Sequence, residues 1–475
     1  MKAERLLSVG IDIGTTTMSL AVSAVTIGNT VRGIEIPRVK ILSKEVLFRS
    51  TPCYTPFFPT GDIDQERVEG YLAGQCAAAG VSPDQIATGA VIVTGRAAEA
   101  RNAEAVGQAI SRISGVFVVA TAGAHLEAAL SGRGAGMAQY SKEHHCRVLN
   151  LDIGGGTTNA ALFDDGVLAR TFCFNIGGRV VQFAPNSTRI AQYTEHGEQV
   201  AAHAGVSLAI GRELGPSDMG RLSDHLAEAL TSFVQGRADA LARVLAIDTD
   251  MDRPVGPVDA VSFSGGVGRL FYEDARGETQ LLQYDDLGPS LAQHLRRKAS
   301  VEHIPVVQPE ETLFATVIGA GIHTVNISGS TIYLSNVEDL PLRDNPVVSL
   351  GDMGAPDWKD TMRGKLRSFS ETTGLLPVLF SGKIGAIGFS AVRSIADRIA
   401  EITNEFDLRG PLIVVCEDDV GKILGGLLRN RVASGRSIVS IDQLFAEELD
   451  YMDIGKPLYG GTVVPVVVKT LIFSN

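Results

Sequence analysis

The sequence has little that would tie it to a membrane, a disulfide framework or nucleic acid. No apolar run reaches the roughly 18 residues needed to span a bilayer. The nearest, residues 462–473, is short and is interrupted by Pro465 and Lys469. The amino-terminal stretch offers Lys2 and Arg5, but residues 6–13 read as a strand rather than a signal peptide's apolar segment and cleavage site. A cytoplasmic address is the default expectation. Cys53, Cys76, Cys146, Cys173 and Cys416 are scattered without a C-x-x-C pair, so reduced and mostly buried thiols are expected. His144-His145-Cys146 comes nearest to a ligand cluster. Neighbours on an extended segment point to opposite sides, so one zinc could hardly use all three. Basic residues are outnumbered: 42 Lys and Arg against 54 Asp and Glu leave a formal net charge of −12, which argues against a nucleic-acid partner.

What is present is glycine, 52 of 475 residues, with 45 % hydrophobic content and a single tryptophan, a composition suited to an α/β protein rich in tight turns. The length predicts about two to four domains. Residues 6–13 form a strand that turns at Gly14 to Thr17 and returns over residues 18–24, a hairpin rather than a strand feeding a helix. Three prolines make residues 51–61 an extended loop, and Asp62-x-x-Gln65 predicts a capped helix to about Ala79. Strands are expected over 90–94 and 116–120, with a helix over 97–113 between them and a small-residue helix over 121–131. The opening pattern then returns as a second hairpin over residues 147–163, closed by an Asp164-Asp165-Gly166 turn.

Asp12-Ile13-Gly14 and Asp152-Ile153-Gly154 are identical triplets, each at the end of an apolar strand. Their separation exceeds solenoid periods and fits a duplicated half-domain. Neither opens a dinucleotide fingerprint. Glycines let backbone N–H groups converge on a phosphate chain, and threonine hydroxyls add donors without charge. Gly14, Thr15, Thr16 and Thr17 in the first copy, and Gly154, Gly155, Gly156, Thr157 and Thr158 in the second, are the candidate phosphate contacts. Mg²⁺ prefers carboxylate and water oxygens, which makes Asp12 and Asp152 the candidate metal and catalytic carboxylates, acting through bound water. Asp418 and Asp419, after a strand over 412–416 and before a helix over 420–431, read as helix caps.

In sequence order, residues 9–20 and 149–162 resemble the two phosphate motifs of the actin, sugar-kinase and heat-shock-chaperone ATPase superfamily. Residues 260–268, with Gly265, Gly266, Val267 and Gly268, resemble its adenosine motif. Residues 121–131 and 316–324, within a helix expected over 311–325, resemble its two connecting helices. More specifically, three segments resemble the ethanolamine utilization protein EutA family. They are Val91-Ile92-Val93-Thr94-Gly95 with Glu99-Ala100-Arg101-Asn102-Ala103, the loop 51–60, and the closing residues 460–469.

The resemblance implies an α/β fold: a duplicated actin-like (ribonuclease-H-like) ATPase domain with inserted elements, plus a C-terminal α/β domain. Residues 1–145 would be the first half, with an insertion around 30–90. Residues 146–338 would be the second half, with a helical insertion around 185–255, and 339–475 the C-terminal domain. It also implies ATP and Mg²⁺ as cofactors and the ethanolamine ammonia-lyase holoenzyme as protein partner. ATP would drive release of damaged cobalamin so that intact adenosylcobalamin can enter. Any microcompartment association would come through that partner, and a homo-oligomer is left open. Glu99 and Glu104 are the carboxylates considered for orienting the attacking water. The rivals are a small-molecule kinase of the same superfamily, a filament-forming actin relative, and an iron–sulfur activator of radical dehydratases, which the scattered cysteines count against.

Overall fold

A computed structural model describes residues 3–470 apart from 31–38, 95–96, 98–99, 114–117, 122–123, 238, 248–254, 274–282, 324–325, 330, 354, 356, 374–378, 385–387, 407–409, 434, 445 and 447–449. Strand β1 (Glu4–Ile13) runs antiparallel to β2 (Thr17–Asn29), with Asp12 opposite Ser19 and Ile13 opposite Met18. Outside β2 lie β3 (Val39–Arg49) and the short β4 (Cys53–Tyr54). On the other side of β1, β5 (Ile86–Val93) and β6 (Val118–Thr121) continue the sheet in parallel. The second half repeats the plan. Strand β7 (Arg147–Ile153) pairs antiparallel with β8 (Thr158–Asp164), which pairs with β9 (Val167–Phe174). After a short hairpin of β10 (Val181–Phe183) and β11 (Ile190–Tyr193), β12 (Ala260–Ser264) lies parallel against β7. A three-stranded meander with a parallel strand beside its first member thus occurs twice. This is the duplicated actin-like α/β architecture that the family resemblance implies.

Both first strands are covered on two faces, which is why they read as nearly unbroken apolar runs. Val9, Ile11 and Ile13 enter one core, and Leu149, Leu151 and Ile153 another. The helices Ala124–Gly134 and Ala315–His323 cross between the halves on their small residues. The first starts later than expected because Thr121 still belongs to β6. The second starts at Ala315, and Glu311, expected inside it, instead pairs with Arg49 at 2.7 Å. The helix Gln65–Ala78 is capped by Asp64 rather than Asp62, which accepts instead from Arg101 at 2.7 Å. The Asp165-Gly166 turn has positive φ at both residues, as its sequence requires.

Helices Glu195–Ala204, Pro216–Val234 and Ala240–Leu245 precede β12 and build the core of the second half. The remaining strands form one sheet. Strands β13 (Asn326–Ile327) and β14 (Tyr333–Leu334) supply its edges. Strands β15 (Leu342–Asp352), β16 (Leu379–Lys383), β17 (Leu412–Cys416) and β18 (Ile438–Asp442) run parallel; β19 (Asp450–Ile454) lies antiparallel beside β15, and β20 (Pro465–Thr470) antiparallel beside β19. Asp418 and Asp419 do not cap the helix Gly421–Arg429. Asp418 accepts from the Ile384 N–H, Asp419 from the Thr331 hydroxyl, and the buried Asp442 reaches the Gly421 N–H at 2.9 Å. Val467 on β20 packs with Ala90, Ile92, Leu130 and Ala320, which joins this sheet to the helix crossing.

Candidate functional site

The two hairpin turns are built alike. Gly14 N–H donates to the Thr17 carbonyl at 3.0 Å, and Gly154 N–H donates to the Thr157 carbonyl at 2.9 Å. They face each other: a Cβ on Gly155 would stand 2.5 Å from the Thr16 hydroxyl oxygen. The proline-rich loop braces the first turn, since Thr55 N–H donates to the Thr16 carbonyl and the Thr55 hydroxyl donates to Gly14 O at 2.7 Å. The second turn is braced by Gly178 and Arg179, whose N–H groups donate to Gly154 O and Gly155 O.

Three carboxylates gather beneath the turns. Asp152 accepts from Ser264 at 2.8 Å and from Thr316 at 3.1 Å, so strand β12 and the second crossing helix both fix it. Burial raises its carboxyl to about 6 in spite of those two hydrogen bonds. Burial, and then the charge of Asp152, raise Asp12 to about 7, while a hydrogen bond from Thr94 opposes the shift. The third is Glu127, which was not among the residues expected here. It sits on the helix Ala124–Gly134, and burial together with the charges of Asp12 and Asp152 pushes it well above the ordinary carboxylate range. Asn159 donates to it, and Asn159 Oδ1 is itself buried without a partner. Glu99 lies outside the described residues; Glu104 falls on the helix Ala103–Ile113, and its side chain lies outside them too.

The glycine motif after β12 opens the helix Gly265–Tyr272 against the second turn. Gly265 has φ +80°, and a Cβ there would stand 2.5 Å from the Ile153 carbonyl oxygen and 2.8 Å from Asp152 Oδ1, so glycine is required for packing. Gly268 packs on the Phe263 carbonyl carbon, at 2.8 Å from where its Cβ would be. Gly266 and Val267 instead line a cavity of about 460 Å³ together with Thr16, Thr17, Gly154 and Gly155. Thr15, Gly156 and Thr157 line a larger chamber of about 900 Å³ on the other side of the turns, with Glu127 in its wall. Thr158, also expected as a contact, is turned away: its hydroxyl donates to the Ile176 carbonyl at 2.8 Å, inside the core.

These residues fit a magnesium–nucleotide complex on their own chemistry. The Thr16 hydroxyl is buried without a hydrogen-bond partner between the turns, as is Asn159 Oδ1 below them. Asp152 is buried, with the half-buried Asp12 and Glu127 within electrostatic reach of it, a clustering of carboxyls that a cation would relieve.

The family model described as "Ethanolamine utilisation protein EutA" matches residues 4–474. The ethanolamine ammonia-lyase reactivase EutA of Salmonella typhimurium is 34 % identical over 477 aligned residues, covering 100 % of both chains. Its Escherichia coli namesake is 35 % identical over 479, again covering 100 % of each. Among solved structures, an Aquifex aeolicus PPX-GPPA enzyme overlaps 67 % of this chain and 98 % of its own, at 13 % identity and a TM-score of 0.39. Two full-length relatives and a family model spanning nearly every residue agree: the chain belongs to the ethanolamine utilisation protein EutA family.

Proposed function

We propose that this chain hydrolyses ATP between its two phosphate turns and couples that turnover to reactivation of ethanolamine ammonia-lyase. The observation that carries the proposal is the pairing of the turns: identical Gly N–H to Thr carbonyl bonds on facing halves, above Asp12, Asp152 and Glu127. Mg²⁺ supplies charge neutralisation at the outer phosphates when nucleotide is bound. Asp12 and Asp152 would hold the ion through bound water. Thr15, Thr16, Thr157 and the turn N–H groups donate to phosphate oxygens. Glu127 orients the attacking water and takes its proton, a role suited to a carboxyl held above its ordinary range.

The coupling is a two-state clamp. A nucleotide that touches both turns favours closure of the halves, and loss of the outer phosphate removes that preference. Closure is felt at the helix crossing, where the C-terminal sheet is anchored through Val467. The partner would be the lyase holoenzyme carrying damaged cobalamin, and the result of the cycle its exchange for intact adenosylcobalamin. The test mixes inactivated lyase, this protein, ATP, Mg²⁺ and free adenosylcobalamin and follows recovered deamination. No recovery from a preparation that hydrolyses ATP would refute the proposal.

A small-molecule kinase is the second reading, favoured by the chamber of about 900 Å³ beside Glu127, which is larger than one attacking water needs. Transfer of γ-phosphate to a neutral alcohol or sugar, faster than its release to water, would decide for it.

A further inference from the structure

The cleft is acidic where a triphosphate would lie, with Asp12, Asp152 and Glu127 within electrostatic reach of one another. A polyanion placed above three carboxylates needs a cation besides magnesium. Among the described residues lining the two cavities, the basic side chains are Arg179, Arg269 and His196. Arg269 is committed: it donates to Glu273 at 2.8 Å and to the Tyr284 hydroxyl. Of these three basic side chains, Arg179 alone lines both cavities.

Its position is built. Residues 177–178 are both glycine, and a Cβ on Gly177 would meet the Gly155 carbonyl oxygen at 2.4 Å. Only that close approach lets the next N–H, that of Arg179, bond to Gly155 O at 2.6 Å. The Arg179 side chain then lies over the second turn, its Cδ 3.4 Å from where a Gly155 Cβ would be. Its guanidinium carbon stands 5.2 Å from the centre of the Tyr54 ring on the opposite half. Arg179 is ion-paired with the largely buried Asp286, its Nε 3.6 Å from Oδ2, longer than a hydrogen bond. The pair holds a planar donor fork beside the facing phosphate turns, a geometry matched to phosphate oxygens.

We propose that Arg179 is a catalytic residue acting in cis, donating to the outer phosphates of the nucleotide and so distinguishing triphosphate from diphosphate. The inference rests on the nucleotide reading of this cleft and adds the cation that reading lacks. By bridging toward Tyr54 as well, Arg179 ties the presence of the outer phosphate to the approach of the two halves.

The test compares the full-length protein with Arg179→Ala, Arg179→Gln and Arg179→Lys. Binding of fluorescent Mg·ATP and Mg·ADP analogues is measured alongside turnover, with thermal unfolding as the folding check. Loss of charge-assisted hydrogen bonds predicts that Arg179→Ala and Arg179→Gln weaken Mg·ATP binding about 10- to 100-fold, against less than about threefold for Mg·ADP. Lysine, which keeps the charge but not the fork, should restore part of the difference. A merely structural arginine would weaken both nucleotides equally, and that result overturns the proposal, as does an unchanged ATP-to-ADP ratio. If the parent binds nucleotide but does not turn it over, the ATPase reading fails, and the binding ratio still judges Arg179. If Arg179→Ala does not fold, the Gln and Lys variants decide.

Discussion

Gly134 and Ala315 meet so closely that a Cβ on Gly134 would stand 1.8 Å from the Ala315 carbonyl oxygen. The next contact along the same crossing is equally tight: a Cβ on Gly319 would stand 2.0 Å from Leu130 O, and one on Gly10 of β1 would stand 2.0 Å from Val317 O. Backbone cannot yield as a flexible side chain can. Gly134→Ala or Gly319→Ala should therefore cost about 3 kcal/mol or more, read as a lower urea midpoint. Gly70→Ala is the contrast: exposed, helical and with open space around it, it should be neutral or stabilise by about 0.5–1 kcal/mol. Equal effects at Gly70 and Gly134 would contradict the close crossing.

Asp152→Asn keeps the shape of a side chain held by Ser264 and Thr316 but removes its charge. Turnover should fall at least about 10²-fold, the scale seen when a preorganised electrostatic group is lost. Asp12→Asn should act in the same direction. Steady-state phosphate release at saturating Mg²⁺ is the measurement, and parent-like rates would remove both residues from the metal site.

Glu127→Gln separates water activation from binding. Loss of a general base predicts kcat lower by about 10²- to 10⁴-fold. KM should change little, because a base acting on the attacking water would leave nucleotide binding alone. A variant that raised KM with kcat intact would make Glu127 a nucleotide contact instead.

The raised carboxyls give the nucleotide-free protein a defined pH response. Between the unfolded carboxylate value, about 4, and the folded values of about 6 for Asp152 and about 7 for Asp12, the native state holds more protons than the unfolded chain. Stability should fall as pH rises through that window, and Glu127, held well above its ordinary range, extends the fall beyond it. Thermal midpoints at pH 5 and pH 7.5 would show the drop, and Asp12→Asn should shrink it. Mg·ATP prefers the ionised carboxylates, so its stabilising effect should grow over the same interval. A midpoint that rises from pH 5 to 7.5 without nucleotide would contradict the shifts.

The turns were legible because their pattern is local: Asp-Ile-Gly followed within a few residues by threonines recurs at both hairpins. Glu127 was not, because a helix crossing brings it to the site and no spacing along the chain reports that crossing. One signal was available: it is the lone acid in the small-residue stretch 121–131, where a buried charge requires a reason. Arg179 escaped likewise, since its role depends on contacts with Gly155 and Tyr54 that are distant in sequence. The helix caps show local rules yielding to tertiary contacts. Asp62 is taken by Arg101 and Asp418 by the Ile384 N–H, leaving Asp64 and Asp442 to reach the free helix ends.

The most direct test of the coupling measures recovery of inactivated ethanolamine ammonia-lyase with the parent protein and with Glu127→Gln, each supplied with Mg·ATP or a non-hydrolysable analogue. Recovery with parent and Mg·ATP alone, and none in the other three combinations, is the result predicted here. Recovery of equal extent with Glu127→Gln or with the analogue would contradict the claim that hydrolysis at the paired turns drives reactivation.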